Sequence, residues 1–125
     1  MSMEKFHLGQ QADLEMEVSK EYTINRMGRD GADVLSTPSL LGLMEKASIM
    51  ASEPYLPVGH TTVGYAVDGL RHLAPTPIGE TVLVRSVLTE VDRNRLTYSI
   101  EAFEGEKRVG MAVHKRAVIS TNPDA

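Results

Sequence analysis

Residues 36–52, STPSLLGLMEKASIMAS, decide the architecture, because no other stretch of the chain has a helical apolar period. Thr37 before Pro38 reads as N-cap followed by first helical residue. The hydroxyl can accept an orphan amide there, and the N–H that proline lacks costs nothing in a first turn. Pro54 and Pro57 oppose continuation, so the helix is expected to end near Ser52. At about 100° per residue, Leu40, Leu43, Ala47 and Met50 fall together and form the expected core stripe. Glu45 falls nearly opposite, near Pro38, Leu41, Ser48, Ile49 and Ser52. A solvated glutamate is the ordinary reading, since Glu is a good helix former. Yet a face of Leu, Glu, Ser, Ile and Ser suits a surface that a partner chain or a ligand covers. A poorly hydrated carboxylate in such a place is chemically useful.

Around this helix the pattern is one of strands. Residues 14–24, LEMEVSKEYTI, alternate through Leu14, Met16 and Val18 as a half-buried strand does. Residues 25–36 carry Asn25, Gly28 and Gly31 and read as loop. Residues 60–74, HTTVGYAVDGLRHLA, form a strand interrupted by a bulge at Asp68-Gly69, with a stiff PTPIG turn after it at 75–79. Three more strands follow at 80–91, 96–104 and 108–120, joined by turns at DRNR and GEK. Leu96, Tyr98, Ile100 and Ala102 share one face; on the last strand Val109, Met111 and Val113 are expected to face inward and His114 outward. One helix must bury its stripe against the one sheet. A single antiparallel sheet of about five strands curled round one long helix is the hotdog architecture, of the α+β class. Such a sheet leaves an edge strand and apolar surface that a dimer would cover.

The chain reads as a single domain over 1–125, with 1–12 and 121–125 expected to be flexible ends. Hydrophobic residues make up 42% and charged residues 24%, enough for one ordinary core. Cysteine is absent, which removes disulfides, thiolate nucleophiles and cysteine metal sites from consideration and fits a reducing cytoplasm. The N-terminal residues contain no apolar signal core, and no run approaches a membrane span, so a cytoplasmic protein without membrane contact is expected. A net charge of −4 with scattered basic residues argues against nucleic acid.

Three segments carry a resemblance: TPSLLGLMEKAS, TTVGYAVDGLRHLAPTPIGETV and EVDRNRLTYSIEAFEGEKRVGMAVHKRAVI. Together, from about Val18 to Ile119, they resemble the fluoroacetyl-CoA thioesterase branch of the hotdog thioesterases. The resemblance implies an acyl-CoA thioesterase acting on a small or medium acyl group, with Thr37, Glu45 and His72 as the catalytic set at a dimer interface. It also implies Gly64, with Val63 beside it, near the acyl group. It further implies a homodimer, or a tetramer of such dimers, whose sites combine residues of both subunits, and no cofactor beyond the coenzyme A of the substrate. The chain departs from the pattern twice. One residue more separates Gly64 from His72, which the Asp68-Gly69 bulge would absorb. No aromatic residue lies between Tyr22 and Thr37, so selectivity for fluoroacetate is not expected.

The chemistry needs an activated water or nucleophile and a donor for the developing oxyanion. Glu45 can serve as nucleophile or general base, Thr37 can position it, His72 can move protons, and a backbone N–H near Gly64 can meet the oxyanion. Each residue also has a purely structural reading: Thr37 as a cap, His72 bonded to its loop, Gly64 marking a bulge. His7, His60 and His114 have no metal-ligand spacing, and no G-x-S-x-G elbow or phosphate loop is present. Arg93, Arg95, Lys107, Arg108, Lys115 and Arg116 can each meet the phosphates of coenzyme A or stand as solvated turn charges. Two alternatives remain: a hotdog enoyl-CoA hydratase or dehydratase, and a non-catalytic acyl-CoA-binding dimer.

Overall fold

Ser36, and not Thr37, caps the helix: its Oγ accepts from the Ser39 amide at 3.2 Å while its own backbone is extended. Helix α1 therefore spans Thr37–Ser52, with Pro38 in its first turn, and runs into a single 3-10 turn at Glu53–Tyr55. The cap lies one residue earlier than the sequence suggests, and that shift leaves the Thr37 hydroxyl free for another partner. The protein, seen as a computed structural model, is described over residues 3–25, 29 and 31–122.

Among the described residues five strands surround α1: β1 (Gln11–Glu17), β2 (His60–His72), β3 (Thr81–Asp92), β4 (Arg95–Glu104) and β5 (Lys107–Ser120). They form one antiparallel curved sheet in the order β1-β3-β4-β5-β2, so β1 and β2 are its edges. Strand β1 begins three residues before the expected start and stops at Glu17; Lys20–Tyr22 make a 3-10 turn instead. Gln11 and Ala12, expected in a flexible end, pair with Val87 and Ser86. In the tight turn after β3, Arg93 adopts φ 58°, a left-handed value that the two-residue hairpin imposes.

Leu40, Leu43, Met44, Ala47 and Ala51 pack against Val82, Val84, Leu88, Leu96, Tyr98, Ile100 and Ala102. Met50, assigned to that stripe from the sequence, is exposed, and Met44 takes its place. The helix is rotated so that Ser48 and Ser52 are also fully buried, and not on the open face expected for them. Each satisfies its hydroxyl twice. Ser48 donates to the Met44 carbonyl at 3.0 Å, which leaves its lone pair for Ser86 at 2.8 Å. Ser52 donates to the Ser48 carbonyl at 2.8 Å and accepts from the Tyr98 hydroxyl at 2.5 Å. Gln10 Nε2 donates to the Ala51 carbonyl at 2.9 Å, fastening the N-terminal segment to the helix end. Leaving any of these groups unpaired would cost about 1–3 kcal/mol.

The last strand holds the largest difference from expectation. Between the pairs Phe103↔Arg108 and Ala102↔Gly110 the register slips by one, so Val109 is an extra residue on β5. Val109 and Gly110 are both buried, and the inward phase then continues through Ala112, His114, Arg116 and Val118. Met111 is exposed and Val113 half-buried, so alternation counted from Val109 gives the wrong face beyond the bulge. At Gly110 α1 packs directly on this strand: a Cβ there would lie 2.9 Å from Leu40 Cδ2 and 3.3 Å from Met44 Cε.

Candidate active site

The inward phase of β5 delivers two polar side chains to the underside of α1. Arg116 is buried, and its guanidinium donates from Nε to Thr62 Oγ1 at 2.9 Å and from Nη2 to the Thr62 carbonyl at 3.0 Å. Its Nη1 lies 3.1 Å from His114 Nε2 and 3.8 Å from Glu45 Oε2. Burial lowers the Arg116 pKa from its ordinary value, with the Glu45 carboxylate opposing the shift. Arg116 keeps only 4% of its side chain exposed, whereas Glu45 keeps 53%. The acid is thus anchored from behind and open in front.

Gly64 completes this group. A Cβ at that position would lie 2.9 Å from His114 Cε1, 3.0 Å from Arg116 Nη1 and 3.2 Å from Glu45 Oε2. Only glycine lets the edge strand come this near to the acid. The register of β2 on β5 slips between Gly64 and Ala66, with Tyr65 as the extra residue, and again between Asp68 and Arg71. The second slip contains Gly69, at φ 60°, where the sequence places its bulge. An open recess of about 280 Å³ lies here, lined by Glu45, Gly64, Tyr65, Ala66, Val67 and His114.

The other half of the predicted set lies elsewhere. Thr37 Oγ1 is 2.8 Å from His72 Nδ1, joining the start of α1 to the end of β2. His72 Nε2 is buried with no hydrogen-bond partner among the described residues, and burial lowers the pKa of the ring. Beside the pair is an open cleft of about 330 Å³, lined by Ile24, Val34, Leu35, Leu73, Ala74 and Pro75. Its apolar walls are aliphatic.

One chain therefore brings Thr37 to His72 and Glu45 to Gly64, and it keeps the two pairs apart. Eight helical residues separate Thr37 from Glu45, about 12 Å along the axis. Val63 joins neither pair; it pairs across from Ala117 and is exposed, on the strand face opposite Thr62 and Gly64. Two residues of the cluster escape sequence reasoning. His114 is buried, where alternation from Val109 points it outward, and Arg116 is no solvated turn charge. The only signal for them was the apolar pair Ala112 and Val118 in the same phase, and the other phase is equally apolar.

An antiparallel sheet curved round one helix, with an acid on the helix facing a glycine of the edge strand, defines a hotdog domain. The sequence profile of the fluoroacetyl-CoA-specific thioesterases matches residues 18–122, and the chain belongs to that family. It is 39% identical over 87 residues to the fluoroacetyl-CoA thioesterase of Streptantibioticus cattleyicolor. That match takes in 70% of this chain and 62% of the relative's length. Among solved structures, the fluoroacetyl-CoA thioesterase FlK superimposes with a TM-score of 0.81 at 30% identity, over 94% of this chain and 90% of that one. A hot-dog-like protein from Thermanaerovibrio acidaminovorans gives 0.85 at 25% identity, over 95% and 87% of the two chains. The hotdog fold and the family resemblance expected from the sequence both hold.

Proposed function

We propose that the protein is a cytoplasmic acyl-CoA thioesterase, active as a homodimer, that hydrolyses a small or medium acyl-CoA to the free acid and coenzyme A. Family membership supports the reaction class. The observation that carries the rest is the split site: a Thr37–His72 pair and a Glu45–Gly64 pair, on opposite ends of the same unpaired edge strand. Val63, Tyr65 and Val67 are exposed along that edge, as an unpaired strand awaiting a partner would have them. Antiparallel pairing of β2 with β2 of a second copy brings the His72 end of one chain to the Gly64 end of the other. Each composite site then holds Glu45 and Gly64 from one subunit and Thr37 and His72 from its partner.

In that site the thioester carbonyl lies against the backbone beside Gly64, where an N–H meets the growing negative charge. Glu45 supplies the lone pair, either by taking a proton from attacking water or by adding to the carbonyl to give an anhydride that water opens. The C–S bond breaks, the acyl carbon keeps the new oxygen, and coenzyme A leaves as thiolate. His72, neutral because burial lowers its pKa, accepts or returns the proton at Nε2 while Thr37 holds Nδ1. The side chains suffice for this chemistry, with coenzyme A entering as part of the substrate. The aliphatic cleft beside His72 supports an alkyl acyl group in preference to fluoroacetyl.

Thiol release from acetyl- through decanoyl-CoA and phenylacetyl-CoA, read with a colorimetric disulfide reagent, tests the proposal. Turnover of one ester that disappears in Glu45→Ala is the expected result. Hydrated or dehydrated acyl products without thiol would point to the hydratase reading, and tight binding without turnover to a binding dimer.

A further inference from the structure

His114 has two partners that between them allow only one state of its ring. Nδ1 lies 2.9 Å from the Ala66 carbonyl, which can only accept, so Nδ1 carries a proton. Nε2 lies 3.1 Å from Arg116 Nη1, which can only donate, so Nε2 carries none. The ring is neutral, 3% exposed, and wedged between a bulged backbone and a buried cation. Thr62 takes the Nε and Nη2 sides of the guanidinium. His114 takes one hydrogen of Nη1, and the other is left for Glu45 Oε2 at 3.8 Å.

We propose that His114 is a positioning residue: with Thr62 holding Nε and Nη2, it accepts from Nη1 on the remaining side of Arg116, keeps that edge of the guanidinium beside Glu45, and ties it to the backbone between Gly64 and Ala66. One side chain then links the cation beside the acid to the backbone beside the glycine. This assignment rests on the thioesterase reading for its effect on rate, though not for the hydrogen bonds themselves. Asparagine at 114 keeps a donor where Nδ1 stands and falls short of Arg116. Glutamine places an acceptor where Nε2 stands. Because glutamine also comes closer than asparagine to the volume of histidine, the ring tautomer and the Arg116 resonances, and not rate alone, separate positioning from space-filling.

Three measurements on the full-length protein test the assignment. The ring nitrogens of ¹⁵N-histidine should report a neutral Nδ1–H tautomer for His114 at neutral pH. The two Nη resonances of Arg116 should be distinct in wild type and in His114→Gln, and should exchange measurably faster in His114→Asn, where Thr62 alone holds the guanidinium. With the best acyl-CoA ester, His114→Asn should lose about tenfold in kcat with KM little changed, and His114→Gln should recover most of the loss. An Nε2–H or cationic ring overturns the assignment, as do Arg116 resonances unaltered in His114→Asn or equal kcat in the two variants. A wild-type protein that releases no thiol overturns the thioesterase reading instead, while the tautomer and the Arg116 resonances still decide whether His114 holds Arg116. Because the tautomer is read on wild type, a variant that fails to fold does not protect the proposal.

Discussion

Thr37 Oγ1 and His72 Nδ1 lie 2.8 Å apart, so one hydrogen bond joins the first residue of α1 to the last residue of β2. Capping is done by Ser36, which separates two roles that a helix-start hydroxyl usually combines. Ser36→Ala should cost about 1 kcal/mol of stability and leave kcat nearly unchanged. Thr37→Ala should do the reverse, lowering kcat on the order of a hundredfold with little change in Tm, and Thr37→Ser should restore activity. Thermal melts and thiol-release kinetics on the three variants check the pattern, and a large Tm loss in Thr37→Ala would count against it.

The composite site makes a prediction about mixtures. Glu45→Ala and His72→Ala homodimers should each be inactive. Unfolded together and refolded at equal ratio, they should regain about a quarter of wild-type activity, since half the dimers are mixed and each has one intact site. Recovery of nothing, with mixed dimers present by native mass spectrometry, would place both residues of each site on one chain.

Burial holds both His72 and His114 below the ordinary 6.5, assisted at His114 by the Arg116 charge. In the unfolded chain both titrate near that ordinary value, so below about pH 7 the unfolded state binds more protons than the native one. Their contribution to stability is complete above the unfolded value and is lost as pH falls through the folded ones. Tm should therefore decline from pH 7 to pH 5. A double variant, His72→Gln with His114→Gln, should flatten the decline over that range, and an unchanged slope would show that other groups cause it.

Gly64→Ala tests how closely the edge strand must approach the acid. The new methyl would meet His114 at 2.9 Å, Arg116 at 3.0 Å and Glu45 at 3.2 Å, all side-chain atoms. Overpacking of this kind costs about 1–3 kcal/mol, and here the atoms that must yield are those of the site. The expected outcome is a loss of kcat well beyond the loss of stability, measured by thiol release beside chemical denaturation.

The helix, the antiparallel strands and the hairpin turns were legible in the sequence because each rests on a local pattern: a 3.6 period, a 2 period, or a Gly or Asn at a turn. Glu45 stood out from its face of the helix, while Thr37, His72 and Gly64 came from resemblance, and the residues alone left those three with an ordinary structural reading. His114 and Arg116 were illegible for a physical reason. Ala112 and Val118 argue for one phase of β5 while Met111, Val113 and Ile119 argue for the other, and hydrophobicity cannot decide between two apolar faces. The register slip at Val109 decides it, through the long-range pairing of β4 with β5. Ser48 and Ser52 were misassigned for a related reason. Their burial is tolerable only because Ser86 and Tyr98, far away in sequence, answer their hydroxyls.

That single extra residue is slack in the strand. Loss of one residue between Arg108 and Gly110 would remove the bulge and leave Phe103↔Arg108 and Ala102↔Gly110 as successive pairs, so His114 and Arg116 would keep their faces. Gain of a residue there would need a second unpaired position, or every later side chain of β5 would turn over and carry the buried cation to solvent. Descent can therefore shorten this hairpin by one residue more readily than it can lengthen it.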